Sequence, residues 1–185
     1  GCKGLTEVII PNRVTSIGQR VFDSCESLAA IEIPDGVTSI GDGTFRGCKG
    51  LTEVIIPNRV TSIGQGVFGG CTRLTSIEIP EGVTDIGDQA FWYCTSLVSI
   101  EIPGSVTSIG NYAFEGCESL KCVTLSTTSE NLVSQSIARN GIMGMITNTA
   151  AYSVQSPEFN FLIRSFKIIR HLGAKSKASL VKVNK

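Results

Sequence analysis

Apolar side chains recur along the first two-thirds of the chain in a fixed 23-residue frame. Leu5, Leu28, Leu51, Leu74, Leu97 and Leu120 open the frames, β-branched residues follow at the third and fifth places, and Pro11, Pro34, Pro57, Pro80 and Pro103 close the segment. Written from the leucine, the unit reads L-x-x-[VI]-x-I-P-x-x-V-T-x-I-G-x-x-x-F-x-x-C-x-x. The alternation predicts a short strand with Leu, [VI] and Ile facing inward. Proline cannot donate to a ladder, so it ends that strand. V-T-x-I supplies a second apolar contact on the return side. Gly18, Gly41, Gly64, Gly87 and Gly110 are expected where the backbone turns with φ > 0. Phe22, Phe45, Phe68, Phe91 and Phe114 fill the core, with a small buried cysteine beside each.

A fixed period of this length predicts a solenoid. One unit cannot bury its own apolar face, so neighbouring coils must cover each other and stability is collective. A stack of similar coils offers a repeated surface rather than one pocket.

The strand segment, for example Leu74-x-x-Ile77-x-Ile79, resembles the L-x-x-L-x-L of leucine-rich repeats. The whole unit, Leu74 to Ser96 with its I-P, V-T-x-I-G, A-F and C, is similar to the BspA-like subclass. The resemblance covers residues 1–125. It implies an α/β repeat fold: a right-handed leucine-rich-repeat solenoid with a parallel concave sheet and short extended or 3₁₀ convex segments. Many such proteins are bacterial or protist surface proteins implicated in adhesion, and others have no assigned role. The resemblance therefore implies a cell-surface or secreted protein and carries over no catalytic residue.

Both ends depart from the rhythm. The chain opens on Gly1-Cys2, the close of a unit, and residues 1–19 recur unchanged at 47–65. It reads as a piece of a longer array whose first coil would expose a raw edge prone to self-association. After Leu125 the motif stops: Ser126 stands where proline is due. Residues 1–125 carry 8 basic and 14 acidic residues, net −6, and residues 126–185 carry 8 and 2, net +6. The overall neutrality hides this opposition. In the tail, Glu130–Arg139 is a candidate helix behind Ser129. Ser156-Pro157-Glu158 is a stronger helix start, and Phe159, Leu162, Ile163, Phe166, Ile169 and Leu172 continue at helical spacing until Gly173. A helix over 157–172 reads as a cap on the last coil. A basic amphipathic helix for a membrane surface or partner, and a poorly ordered tail foreign to the repeat fold, are the alternatives. No run is long and apolar enough to span a membrane.

Little in the chain supports catalysis or cofactor binding. Six of the seven cysteines share one coil position and read as buried free thiols, while Cys122 lies off the period and is the candidate reactive thiol. No C-x-x-C pair occurs, and Cys117, Cys122 and the single His171 make a poor zinc set. No serine or cysteine has an activating base in its sequence context. Gly64-x-Gly66-x-x-Gly69 matches a nucleotide fingerprint only because the repeat places glycines there, without a following helix.

The candidate binding residues are those the repeat leaves free. Alternation puts two ladders on the concave face: Glu7, Ala30, Glu53, Ser76, Ser99, Cys122, and Ile9, Glu32, Ile55, Glu78, Glu101, Thr124. Five acids and no base lie there. This is either a solvated polar face or an acidic groove for a basic segment, with Ile9 and Ile55 adding apolar contact. An acidic groove argues against nucleic acid. A second patch holds Trp92, Tyr93 and Tyr112 in slots that are polar or glycine in other coils. They are either interface anchors or rings packed beneath the tail. The leading reading is a non-enzymatic protein-binding module with no cofactor, part of an adhesin-like surface protein. The alternative is a structural spacer within a longer array.

Overall fold

Three turns close each 23-residue frame into one coil. At the first, the Val37 amide donates to the Pro34 carbonyl at 2.9 Å, and Val14, Val60, Val83 and Val106 repeat the bond. Proline suits that place because only its carbonyl is used. The second turn carries the phenylalanine: the Asp23 amide donates to the Arg20 carbonyl, and Cys25 to Phe22. The third returns the chain to the next leucine, with the Leu28 amide on the Cys25 carbonyl at 3.1 Å. This computed structural model describes residues 1–125 and 146–147, which fall within one compact unit, Gly1–Ala151.

Two sets of short parallel strands join the turns. One set forms the strand face: β2 (Ala30–Glu32) pairs with β4 (Glu53–Ile55), and β7 (Ser99–Ile102) with β9 (Cys122–Leu125). Isolated bridges Ile9↔Glu32 and Glu78↔Glu101 extend the two pairs. The V-T-x-I segments form the other set. There β1 (Ser16–Ile17) pairs with β3 (Ser39–Ile40), and β5 (Ser62–Ile63), β6 (Asp85–Ile86) and β8 (Ser108–Ile109) form a three-stranded sheet. Threonine earns its place here through a second ladder. Thr38, Thr84 and Thr107 hydroxyls each donate to the threonine carbonyl 23 residues back, at 3.2–3.3 Å.

The described residues thus form a parallel β-solenoid of about five coils, with no helix among them. The expected α/β character is corrected to this extent. Away from the strand face lie the short extended V-T-x-I strands, as the extended alternative has it, and turns closed by amide-to-third-residue bonds in place of 3₁₀ runs. The helices expected at 130–139 and 157–172 lie outside the described residues. One strand continues beyond Leu125: β10 (Ile146–Thr147) pairs in parallel with β9, Ile146 opposite Val123. Met143 and Ile146 keep the Leu and [VI] slots of the frame although the rest of the motif is gone.

The core is columnar. Leu28, Leu51, Leu74 and Leu97 are fully buried, and the five phenylalanines stack with ring centroids 5.4–5.6 Å apart. Such offset stacks add about 0.5–1.5 kcal/mol per pair beyond burial. Beside them the turn-face ladder runs unbroken: the amides of Phe22, Phe45, Phe68 and Phe91 donate to Thr44, Val67, Ala90 and Ala113 at 2.8–2.9 Å. In the first coil Leu5, Val8, Ile10 and Val14 are only half-buried. On the rim, Lys3 and Lys49 both pair with Glu26, at 3.2 and 3.4 Å. A hydrogen bond and attraction from Lys3, then the charge of Lys49, hold the Glu26 carboxyl below its ordinary pKa.

The glycine expectation fails. None of Gly18, Gly41, Gly64, Gly87 and Gly110 has positive φ; the left-handed positions are Arg20, Gly43, Gly66, Gln89 and Tyr112 in one slot, and Ser24, Gly47, Gly70, Tyr93 and Gly116 in another. Space is the reason at Gly41, Gly87 and Gly110, where an added Cβ would meet the backbone of the preceding coil. A Cβ on Gly87 would lie 2.7 Å from the Gly64 carbonyl carbon and 2.8 Å from the Gln65 amide nitrogen. Gly41 meets the backbone of Gly18 and Gln19 just as closely. These glycines let one coil approach the next, as the Gly87 amide does in donating to the Ile63 carbonyl at 2.7 Å.

Candidate functional site

Alternation along the strand face sorts the side chains as expected. Val54, Ile77 and Ile100 are buried, while Glu7, Glu32, Glu53, Glu78 and Glu101 are exposed. Ile9 and Ile55 are exposed to 86% and 67%, so both branched side chains stand in solvent. The register brings the predicted residues together: Ile9 beside Glu32, Glu32 beside Ile55, and Glu78 beside Glu101. Among the described residues no cation pairs with Glu7, Glu32, Glu53 or Glu78. Adjacent carboxylates about 5 Å apart repel by about 1 kcal/mol in water.

The face is not uniform. β4 pairs with β2 alone, so strand bonding lapses between β4 and the fourth coil. A cavity of about 540 Å³ lies there, lined by Glu53, Ile55, Asn58, Ser76, Glu78 and Pro80. Asn58 and Pro80 were not picked out from the sequence, and nothing in the frame marks this junction as different. The cavity lining holds Glu53 and Ile55 from one coil and Glu78 from the next.

Trp92, Tyr93 and Tyr112 lie on the turn face, away from the strand ladders in each coil. Trp92 is half-buried, and the two tyrosines are exposed. Trp92 and Tyr93 meet edge to face with centroids 4.5 Å apart. Both tyrosines have left-handed backbone, φ 53° and 57°. Gly43 and Gly66 in the Tyr112 slot, and Gly47, Gly70 and Gly116 in the Tyr93 slot, were the available signal.

The thiols do more than fill space. Cys48, Cys71, Cys94 and Cys117 each donate Sγ–H to the phenylalanine carbonyl 26 residues back, at 3.1 Å. Burial pushes Cys48 up to about 12 and Cys117 to about 11, and raises Cys71 and Cys94 as well. A thiol so buried and protonated is a poor nucleophile. Cys2 departs from the expected buried column: it is exposed. Cys122 is half-buried on the strand face opposite Ser99, its sulfur 3.7 Å from the Thr124 hydroxyl. Among the described residues no cluster of His, Cys, Asp and Glu could hold a metal, and no helix is long and apolar enough to cross a membrane.

Residues 1–121 and 38–161 match the BspA type leucine rich repeat region, in six copies. No curated protein sequence matches the chain significantly. Among solved structures, it is similar to a leucine rich cell surface protein of Faecalibacterium prausnitzii, with 43% identity and a TM-score of 0.64 over 68% of this chain and 33% of that one. It is also similar to a leucine-rich repeat protein of Bacteroides ovatus, with 40% identity and a TM-score of 0.57 over 60% of this chain and 28% of that one. A T. pallidum leucine rich repeat protein is 31% identical, with a TM-score of 0.63 over 65% of this chain and 58% of that one. The match thus spans less than two-thirds of each of these proteins.

Proposed function

Because the chain belongs to the BspA-type leucine-rich repeat family, we propose that it is a non-enzymatic protein-binding module of a cell-surface protein, whose strand face holds a basic, partly aliphatic segment of another protein. The carrying observation is the ladder Glu32, Ile55, Glu78, Glu101: exposed carboxylates around an isoleucine that is 67% exposed. Repelling acids on one face gain when cations arrive, and Ile55 gives them apolar area to cover. Lysine stems suit such a face, with aliphatic carbons on the isoleucine and the ammonium beside carboxylate. The surface location is supported by the Faecalibacterium relative, which is described as a cell surface protein. An adhesive role would follow from that location and this face.

A decapeptide of alternating lysine and valine is the probe. It is expected to bind saturably and to weaken as salt rises. Reversing Glu32→Lys and Glu78→Lys together is expected to weaken binding at least tenfold, about 1.4 kcal/mol. Equal binding by this variant would remove the groove. No binding by the wild type would leave the spacer role as the better reading.

A further inference from the structure

Tyr93 and Tyr112 stand where L side chains are disfavoured. At φ 53° and 57° their Cβ atoms crowd the following carbonyl. In other coils the Tyr112 slot holds Gly43, Gly66, Arg20 and Gln89, and the Tyr93 slot holds Gly47, Gly70, Gly116 and Ser24, all with φ between 55° and 75°. The backbone favours glycine, and the chain places tyrosine there in two adjacent coils. Core packing does not account for this, since the two side chains are 45% and 52% exposed.

The two backbones are linked through one residue. The Tyr93 amide donates to the Glu115 carbonyl at 2.7 Å, and the Glu115 amide donates to the Tyr112 carbonyl at 3.2 Å. Gly116 seats the Tyr93 ring: a Cβ there would come within 2.8–3.0 Å of three ring atoms. Trp92 meets that ring at an interplanar angle of 63°. Residues 74–120 contain seven carboxylates, Glu115 among them, and no lysine or arginine. Aromatic faces in an acidic field attract cations.

We propose that Trp92, Tyr93 and Tyr112 form a second docking surface, on the turn face, which takes an arginine or lysine side chain of a partner protein by cation–π contact. What sets the two tyrosines apart from the glycine and polar residues of the same slots is a large ring kept exposed on left-handed backbone, at a cost in local stability that binding would offset. This surface rests on the Trp92–Tyr93 ring pair and the backbone link to Tyr112 through Glu115, independently of the strand ladder, so each can fail alone.

Trp92 is the only tryptophan, so its fluorescence reports on the patch. The probes are a hexapeptide of alternating arginine and glycine, the same peptide with neutral citrulline for arginine, and cellohexaose. The full chain is expected to give a saturable emission change with the arginine peptide. The citrulline peptide and the Tyr93→Gly/Tyr112→Gly variant should each weaken it at least tenfold, and Glu32→Gln/Glu78→Gln should not. The glycine variant should keep or exceed the wild-type Tm, because glycine suits both slots; its loss of binding is then not a loss of folding. The proposal is overturned by no saturable response to the arginine peptide, or by equal response to the citrulline peptide. Undiminished binding in the glycine variant, a fall in its Tm, or saturation by cellohexaose in place of the peptide would overturn it too.

Discussion

Alanine at two equivalent glycines should have opposite effects. Gly18 and Gly87 occupy the same slot of the frame, and neither has positive φ. A Cβ on Gly18 would meet only Val21 Cγ2 at 3.6 Å, an ordinary contact. Gly18→Ala is therefore expected to stabilise by about 0.4–1 kcal/mol, through the lost freedom of the unfolded chain. On Gly87 the added carbon would press on the Gly64 and Gln65 backbone at 2.7–2.8 Å. Backbone cannot rotate aside, so the coils must separate and weaken the Gly87 amide bond to the Ile63 carbonyl. Overpacking of this kind costs about 1–3 kcal/mol. For a chain of this size each kcal/mol moves Tm by about 2–4 °C. Thermal unfolding followed by circular dichroism should put Gly18→Ala roughly 1–4 °C above the wild type, and Gly87→Ala roughly 2–12 °C below it. If both substitutions lower Tm alike, the slot demands glycine for its backbone angle and the close-approach reasoning is wrong.

Native-state alkylation at pH 8 should modify Cys2 and Cys122 and spare Cys48, Cys71, Cys94 and Cys117, read by peptide mass; rapid labelling of the buried four would contradict their burial. The same thiols set an alkaline limit. Unfolded, they ionise near the ordinary 9.0, whereas folded Cys48 and Cys117 hold their protons to about 12 and about 11. The unfolded state thus binds fewer protons above pH 9, and stability should fall from there at about 1.4 kcal/mol per pH unit per thiol; a flat urea midpoint between pH 9 and 11 would refute this. Phe68→Ala removes a fully buried ring stacked on both sides, so a loss of about 3–5 kcal/mol is expected in urea unfolding. Lys3→Gln/Lys49→Gln should return the Glu26 carboxyl to its ordinary range in an NMR titration, and an unmoved titration would deny the ion pairs.

The frame made most of the fold legible, because each apolar slot recurs with the period of a coil and its alternation says which side is inward. Val54 buried beside an exposed Ile55 needed no coordinates, only the two-residue repeat of a strand. The glycines were misread because a turn angle and a close approach leave the same letter in a sequence. Gly41 and Gly43 lie two residues apart, one for space and one for φ 62°. Cysteine was legible as buried, but its bond to the phenylalanine carbonyl 26 residues back depends on the offset between coils. β10 was missed because its strand keeps the frame through Met143 and Ile146 alone, without the proline, glycine or phenylalanine that announce a coil. Within the candidate sites, the ladder order followed from the period. The cavity lined by Glu53 and Glu78 did not, since it lies at a lapse in pairing that no residue of the frame marks.

The direct test of the strand face is an NMR titration of the ¹⁵N- and methyl-labelled chain with the lysine–valine decapeptide. The account predicts saturable shifts confined to the outward residues Glu32, Ile55, Glu78 and Glu101, with the Ile55 methyls among the largest. Shifts confined to the turn face, or spread evenly over all exposed carboxylates, would contradict it.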